Sequence, residues 1–127
     1  MTPIRVVVAD DQPLVRAALV DLLAADPGID VVGTASNAPE AIARCAMLVP
    51  DVVLMDVKMP GGGGLKATRE ICRSRPQTRI VAFSAHRDRS TVQEMLGAGA
   101  VDYVTKGSPP AEIVAAVHKA FRGSDPA

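Results

Sequence analysis

Acidic residues directly follow two short apolar runs of the sequence. Asp10 and Asp11 come after Ile4–Ala9, and Asp56 comes after Val52–Met55. Carboxylates gathered at one site repel one another unless a cation lies among them. Oxygen ligands without a His or Cys cluster nearby favour Mg²⁺ over Zn²⁺. Because Mg²⁺ usually takes one or two carboxylates plus a phosphate oxygen, one of the three carboxylates would remain free to act as a nucleophile.

A hydroxyl group and an amine follow two further apolar runs. Ser84 comes after Arg79–Phe83, and Lys106 comes after Asp102–Thr105. At a shared site the amine would balance the charge of a phosphoryl group and the hydroxyl would hydrogen-bond it. Any single Asp or Ser here could equally be a helix cap. The combination of three carboxylates, a hydroxyl and an amine is what predicts phosphoryl chemistry.

The segments that must position these groups alternate between apolar, β-branched runs and runs with helical periodicity. Strands are predicted at Ile4–Ala9, Val31–Ala35, Val52–Met55, Arg79–Phe83 and Asp102–Thr105. Four helices are predicted from Pro13 to about Ala25, from an Asn37 cap to Pro50, from about Leu65 to Arg73 and from Ser90 to Ala98. A fifth helix is predicted to begin at a Ser108 cap, with Pro109 in its first turn and Phe121 on its buried face.

Five strand–helix units imply a parallel sheet with helices on both faces, because parallel neighbours need crossover helices. The predicted class is therefore doubly wound α/β. Periodicity does not give the strand order, and we expect the flavodoxin-like (βα)5 order 2-1-3-4-5. The functional crevice of such a sheet lies at the carboxyl ends of its strands. Asp10, Asp11, Asp56, Ser84 and Lys106 should then converge on one rim.

Composition limits the classes of protein that this chain could belong to. A chain of 127 residues fits one domain, expected over residues 1–122, with residues 123–127 as a tail or the start of a linker. Fourteen basic residues balance fourteen acidic ones, which argues against a basic nucleic-acid surface or a polybasic membrane anchor. Cys45 and Cys72 lie in no metal-ligand spacing. With no signal-peptide pattern and no membrane-length apolar run, we expect a cytoplasmic location.

Four motifs, each at a predicted strand end, resemble those of response regulator receiver domains of two-component systems. They are Val7–Asp11, Val53–Gly61, Ala82–Ala85 and Tyr103–Lys106. Their order and spacing match over nearly the whole chain. The stretch Ser108–Val117, with Gly123 after it, is most similar to receivers of NarL/LuxR-type regulators, which precede a helix-turn-helix domain. The resemblance implies a CheY-like fold, which has the same strand order.

The resemblance also implies a role for each matched residue. Asp56 would accept a phosphoryl group from the phosphohistidine of a sensor histidine kinase. Asp11 and Asp56 would bind Mg²⁺ together with the backbone carbonyl of Lys58 and, through water, Asp10. The hydroxyl of Ser84 would hydrogen-bond a phosphoryl oxygen.

Two more residues of the chain match functional positions of the family. Lys106 would pair with the phosphoryl group, and with Asp56 before phosphorylation. Tyr103 matches the aromatic switch residue. The alternative interpretation of Tyr103 is an ordinary half-buried strand aromatic. One departure is Gly63, where the family often has an Asp before the following glycine, so we expect a looser loop there.

The resemblance implies a signalling switch that promotes its own phosphoryl transfer and dephosphorylation, not an enzyme with a separate substrate. Its partners would be a sensor histidine kinase and, on phosphorylation, a second copy of the chain. DNA would be reached only through a LuxR-type domain that these 127 residues do not contain, and no membrane contact is expected. The alternative is a stand-alone receiver that acts through protein contacts.

Three other functions can be weighed on the residues themselves. A flavin binder of this topology would want a hydroxyl- and glycine-rich loop after the first strand, where Asp10 and Asp11 would repel a phosphate without a metal. A magnesium phosphohydrolase would need an acid/base group beside Asp56, for which Lys58 is a poor substitute. A receiver that no longer takes phosphate is disfavoured because every expected acceptor-site group is present.

Overall fold

A computed structural model describes residues 2–123 as a five-stranded parallel sheet with helices on both faces. The strands are β1 (Ile4–Ala9), β2 (Ile29–Ala35), β3 (Val52–Asp56), β4 (Arg79–Ser84) and β5 (Asp102–Thr105). The helices are α1 (Pro13–Ala24), α2 (Ala38–Leu48), α3 (Gly63–Ser74), α4 (Arg89–Ala98) and α5 (Pro110–Arg122). The strand order β2-β1-β3-β4-β5 confirms the predicted class and topology. Of the predicted tail 123–127, only Gly123 falls within the described residues.

The sheet separates two apolar layers, because successive strand residues point to opposite faces. Val7 and Val53 pack with α2, α3 and α4, in a layer that also contains buried Met55, Met59 and Met95. The layer under α1 and α5 is built from branched aliphatic residues and Phe83. All five residues of β3 are buried, as expected for a central strand covered on both faces. No helix within residues 2–123 is long and apolar enough to span a membrane.

The start of α5 differs from the prediction. The helix begins at Pro110, and its first turn has no side-chain cap among the described residues. Pro109 is extended, with φ −55° and ψ 144°, because a residue before proline is pushed out of the helical region. The Ser108 hydroxyl instead lies 2.9 Å from that of Thr105. Phe121, predicted on the buried face, is 39% exposed.

Helix α2 begins with a side-chain cap and ends in a strained residue. As predicted, the Asn37 side chain accepts a hydrogen bond from the Glu40 backbone N–H, at 2.8 Å. The Glu40 carboxylate accepts from the backbone N–H of Ser36, one residue earlier than in a capping box. At the other end Val49 adopts a left-handed conformation with φ 46°, which is costly for a β-branched residue.

We therefore expect Val49→Gly to raise the free energy of unfolding by about 1 kcal/mol, because glycine adopts this conformation without steric cost. The Val49 side chain is half exposed, so little burial is lost. Urea denaturation measures the change. Val101→Gly, at a similarly exposed valine without positive φ, should instead destabilise the chain. Equal destabilisation by both substitutions would contradict the assigned strain.

Candidate functional site

Three carboxylates meet at the carboxyl ends of β1 and β3. Asp10 and Asp11 follow β1, and Asp56 is the last residue of β3. One oxygen of each lies within 4.8 Å of the others. Asp10 is fully buried and Asp56 is 3% exposed, whereas Asp11 is open to solvent. Two of the three carboxylates are therefore buried, and the third lies at the surface.

Lys106 reaches into this cluster from the end of β5. Its Nζ lies 3.0 Å from Asp10 Oδ2 and 3.4 Å from Asp56 Oδ2. It also donates a hydrogen bond to Gln12 Oε1, at 3.3 Å. One ammonium charge against three carboxylates leaves the cluster with an excess of negative charge, which a divalent cation would balance.

Asp56 is an unusually weak acid for an aspartate. Burial, followed by the negative charge of Asp10, raises the pKa of Asp56 to about 6. The charge of Lys106 and the backbone N–H of Lys58, which donates to Asp56 Oδ1 at 3.3 Å, act in the opposite direction. A cation bound beside the ionised carboxylate would remove much of this cost.

Asp10 is held in place by its neighbours on all sides. Its backbone N–H donates to the Ala35 carbonyl at 2.9 Å, and its own carbonyl accepts from Arg16 Nη1 at 2.8 Å. Its Oδ1 accepts from the backbone N–H of Gln12, at 2.8 Å. Its buried Oδ2 has the ion pair with Lys106 but no hydrogen bond within the described chain. An under-coordinated carboxylate oxygen amid oxygen donors fits a hard cation such as Mg²⁺.

Ser84 and Tyr103 are linked through the β4–α4 loop. Ser84 is buried at the end of β4, and its hydroxyl accepts a hydrogen bond from the His86 backbone N–H at 3.2 Å. The Tyr103 ring is also buried, and its hydroxyl donates to the His86 carbonyl at 2.7 Å. Arg87 Nη1 donates in turn to the Tyr103 carbonyl at 3.3 Å. A shift of Ser84 can therefore reach Tyr103 through one residue.

A cleft of about 180 Å³ opens onto these groups. It is lined by Asp11, Gln12, Asp56, Lys58, Ser84, Ala85, His86 and Lys106. All the predicted site residues except buried Asp10 and Tyr103 line it, and those two contact its walls. Gln12 and Arg16 were not predicted from the sequence. Gln12 directly follows the acidic pair, and Arg16 lies one helical turn after Gln12. This spacing is the sequence signal that could have identified them.

Four consecutive glycines, Gly61–Gly64, span the end of the β3–α3 loop and the first two residues of α3. Gly61, Gly62 and Gly63 all have positive φ, and α3 begins without a side-chain cap among the described residues, as the missing Asp at Gly63 predicted. At Gly64 an added Cβ would lie 2.2 Å from the backbone oxygen of Asp56. The first turn of α3 thus packs directly against the backbone of Asp56.

Comparison with known proteins places these features in context. The sequence model of the response regulator receiver domain matches residues 6–118. Response regulator GacA of Pseudomonas viridiflava is 46% identical over 120 residues, which are 94% of this chain and 56% of that protein. Response regulator UvrY of Escherichia coli K12 is 41% identical over 94% of this chain and 55% of its own. The chain thus spans about half the length of these curated relatives.

Solved structures agree with the sequence comparison. The signal receiver domain of the putative response regulator NarL from Mycobacterium tuberculosis superposes with a TM-score of 0.92 at 35% identity, over 97% of this chain and 99% of that one. A LuxR-family two-component response regulator from Aurantimonas sp. SI85-9A1 also gives a TM-score of 0.92, at 38% identity over 96% and 87% of the two chains.

Proposed function

Since this chain belongs to the response regulator receiver domain family, we propose that it is a switch operated by phosphorylation of Asp56. The phosphoryl donor is the phosphohistidine of a sensor histidine kinase. The observation that supports this most directly is the cluster of three carboxylates within 4.8 Å beside a single lysine ammonium. Asp56 is the carboxylate of the three that is both buried and lines the cleft.

The transfer is a displacement at phosphorus. A bond forms between an Asp56 carboxylate oxygen and phosphorus, the N–P bond to the kinase histidine breaks, and its electron pair stays with the imidazole. The ammonium of Lys106 neutralises charge on the phosphoryl oxygens, and the Ser84 hydroxyl donates a hydrogen bond to one of them. Hydrolysis at the same site, in which water takes the phosphoryl group and the Asp56 carboxylate is released, resets the switch.

Mg²⁺ is the cofactor that these residues would hold. Asp11, Asp56 and the Lys58 backbone carbonyl would coordinate it, with Asp10 acting through a water molecule. When bound, the ion supplies positive charge against the phosphoryl oxygens. The exposed position of Asp11 leaves the cation a path from solvent.

Acetyl phosphate can replace the kinase in a direct test of this function. With Mg²⁺ present, intact-mass measurement should show the gain of one phosphoryl group, and the modification should be acid-labile. With excess EDTA the gain should disappear. No gain at saturating acetyl phosphate and Mg²⁺ would contradict the proposal.

The output of the switch is proposed from the relatives. We propose that phosphorylation controls a LuxR-type DNA-binding domain outside these 127 residues, with dimerisation of the receiver as one step. This is supported by the similarity to a LuxR-family regulator and by the greater length of GacA and UvrY. The alternative is a stand-alone receiver that acts through protein contacts. We propose a cytoplasmic location, which suits the free thiols of Cys45 and Cys72. The flavin-binding alternative gains no support, because carboxylates occupy the β1–α1 loop.

Ser84→Ala should separate phosphorylation from switching. The variant should still be phosphorylated at Asp56, more slowly, but the Tyr103 ring should respond weakly, because the hydroxyl that links the phosphoryl group to the His86 backbone is gone. Tyrosine-ring NMR signals with and without beryllofluoride, a phosphoryl mimic, measure the response. Ser74→Ala, at an exposed serine on α3, is the control. A full Tyr103 response in Ser84→Ala would show that the hydroxyl is not the coupling group.

A further inference from the structure

Gln12 occupies a helix-capping position without capping the helix. It is the N-cap residue of α1, with φ −89° and ψ 111°, yet its side chain bonds no backbone N–H in the described first turn. Short polar side chains such as Ser, Thr, Asp and Asn are preferred at this position because they reach back to the helix. The longer Gln12 side chain extends into the cleft instead, where its Oε1 accepts from Lys106 Nζ at 3.3 Å.

The Gln12 side chain is one of three groups that surround the Lys106 ammonium. A lysine ammonium carries three N–H donors. Three oxygens lie within 3.4 Å of Nζ, and they belong to Asp10, Asp56 and Gln12. The Lys106 side chain is 18% exposed, so solvent has only limited access to it. Gln12 Oε1 accepts a hydrogen bond from Nζ, and the two carboxylate oxygens face the ammonium as ion pairs.

Phosphorylation would replace one of these three partners. A phosphoryl oxygen carried by Asp56 would take the place of Asp56 Oδ2 beside Lys106. The contacts to Asp10 and Gln12 need not change, since Asp10 is fixed by its own hydrogen bonds and the Gln12 backbone N–H is part of that framework. Buried Asp10 on one side and the exposed Gln12 side chain on the other would keep the ammonium aimed at the position of the incoming group, and such preorganisation is what stabilises developing charge.

We propose that Gln12 is a positioning residue for phosphoryl transfer, which holds the Lys106 ammonium towards Asp56. This inference rests on the proposed phosphorylation of Asp56. Gln12 is uncharged, so it does this without altering the charge of the carboxylate cluster. Its effect should therefore fall on the transfer rate and not on the affinity for Mg²⁺.

Gln12→Met tests the role, because methionine keeps the length of the side chain and removes its oxygen acceptor. With saturating Mg²⁺, the rate of phosphorylation by acetyl phosphate, followed by intact mass, should fall about two- to tenfold, the range that corresponds to one net hydrogen bond. Mg²⁺ affinity from calorimetry should stay within about twofold of wild type. Gln77→Met, at an exposed glutamine before β4 and thus at the opposite edge of the sheet, should match wild type in both measurements.

A double-mutant cycle separates positioning from a structural effect. In a Lys106→Met background, Gln12→Met should cause no further loss of rate, because the group it positions is absent. Equal rates for Gln12→Met and wild type would overturn the inference, and so would a full additional loss in the Lys106→Met background. If wild type itself is not phosphorylated, it is the proposed function that fails.

Discussion

Asp56→Asn should abolish the acid-labile gain of one phosphoryl group on treatment with acetyl phosphate and Mg²⁺. The amide has nearly the shape of the carboxylate but lacks the anionic oxygen that would attack phosphorus. Asp10 should not take over the reaction, because it is fully buried and does not line the cleft, whereas Asp56 does. Intact mass before and after acid treatment gives the readout.

The substitution is expected to leave the fold intact. Burial and the Asp10 charge already weaken the ionised form of Asp56, so a neutral amide relieves repulsion in the metal-free chain. Unfolding by urea in EDTA confirms that the variant is folded. Asp30→Asn, at an exposed aspartate of β2, is the matched control and should be labelled like wild type. Labelling of Asp56→Asn to the wild-type extent would rule Asp56 out as the acceptor.

Asp11→Asn should weaken Mg²⁺ binding by about tenfold or more, since changes around metal ligands commonly cost 10–100-fold in affinity. It removes one negative charge from the cluster and replaces a strong oxygen ligand by an amide oxygen. Because Asp11 is exposed, the fold should tolerate the change. Calorimetry measures the affinity, and the rate of phosphorylation at limiting Mg²⁺ should fall in parallel.

An aspartate on α1, the helix that follows Asp11, provides the control for this second substitution. Asp21→Asn lies on the exposed face of α1 and removes the same charge away from the cleft. It should leave the affinity for Mg²⁺ unchanged. Equal affinities for Asp11→Asn and wild type would mean that Asp11 does not bind the cation. Asp10 and Asp56 would then be the remaining candidate ligands.

Sequence patterns predicted the fold well where burial decides the structure. The apolar run before Asp56 is a fully buried strand because both faces of the sheet are covered. Periodicity alone did not give the strand order; the resemblance to receivers suggested it. The start of α5 was missed because two adjacent prolines compete for the first turn, and the backbone restriction on Pro109 outweighs the capping preference of Ser108.

The site was predictable in its acidic residues but not in its supporting ones. Asp10, Asp11 and Asp56 were found because strand ends in a parallel sheet share an edge. Gln12 and Arg16 contribute through side chains that reach across loops, to Lys106 and to the Asp10 carbonyl. No periodic pattern encodes such a reach, because it depends on rotamers and on the distance between elements.

The unequal make-up of the two apolar layers has a mechanical consequence. The layer that contains Tyr103 also contains the buried methionines Met55, Met59 and Met95, whose unbranched thioether side chains repack at low cost. The layer under α1 and α5 is rich in valine and isoleucine, which are stiff at χ1. One side of the sheet is therefore compliant and the other is rigid. Displacements that begin at the acidic cluster should be absorbed on the compliant side, towards α4, while α1 and α5 serve as a fixed frame.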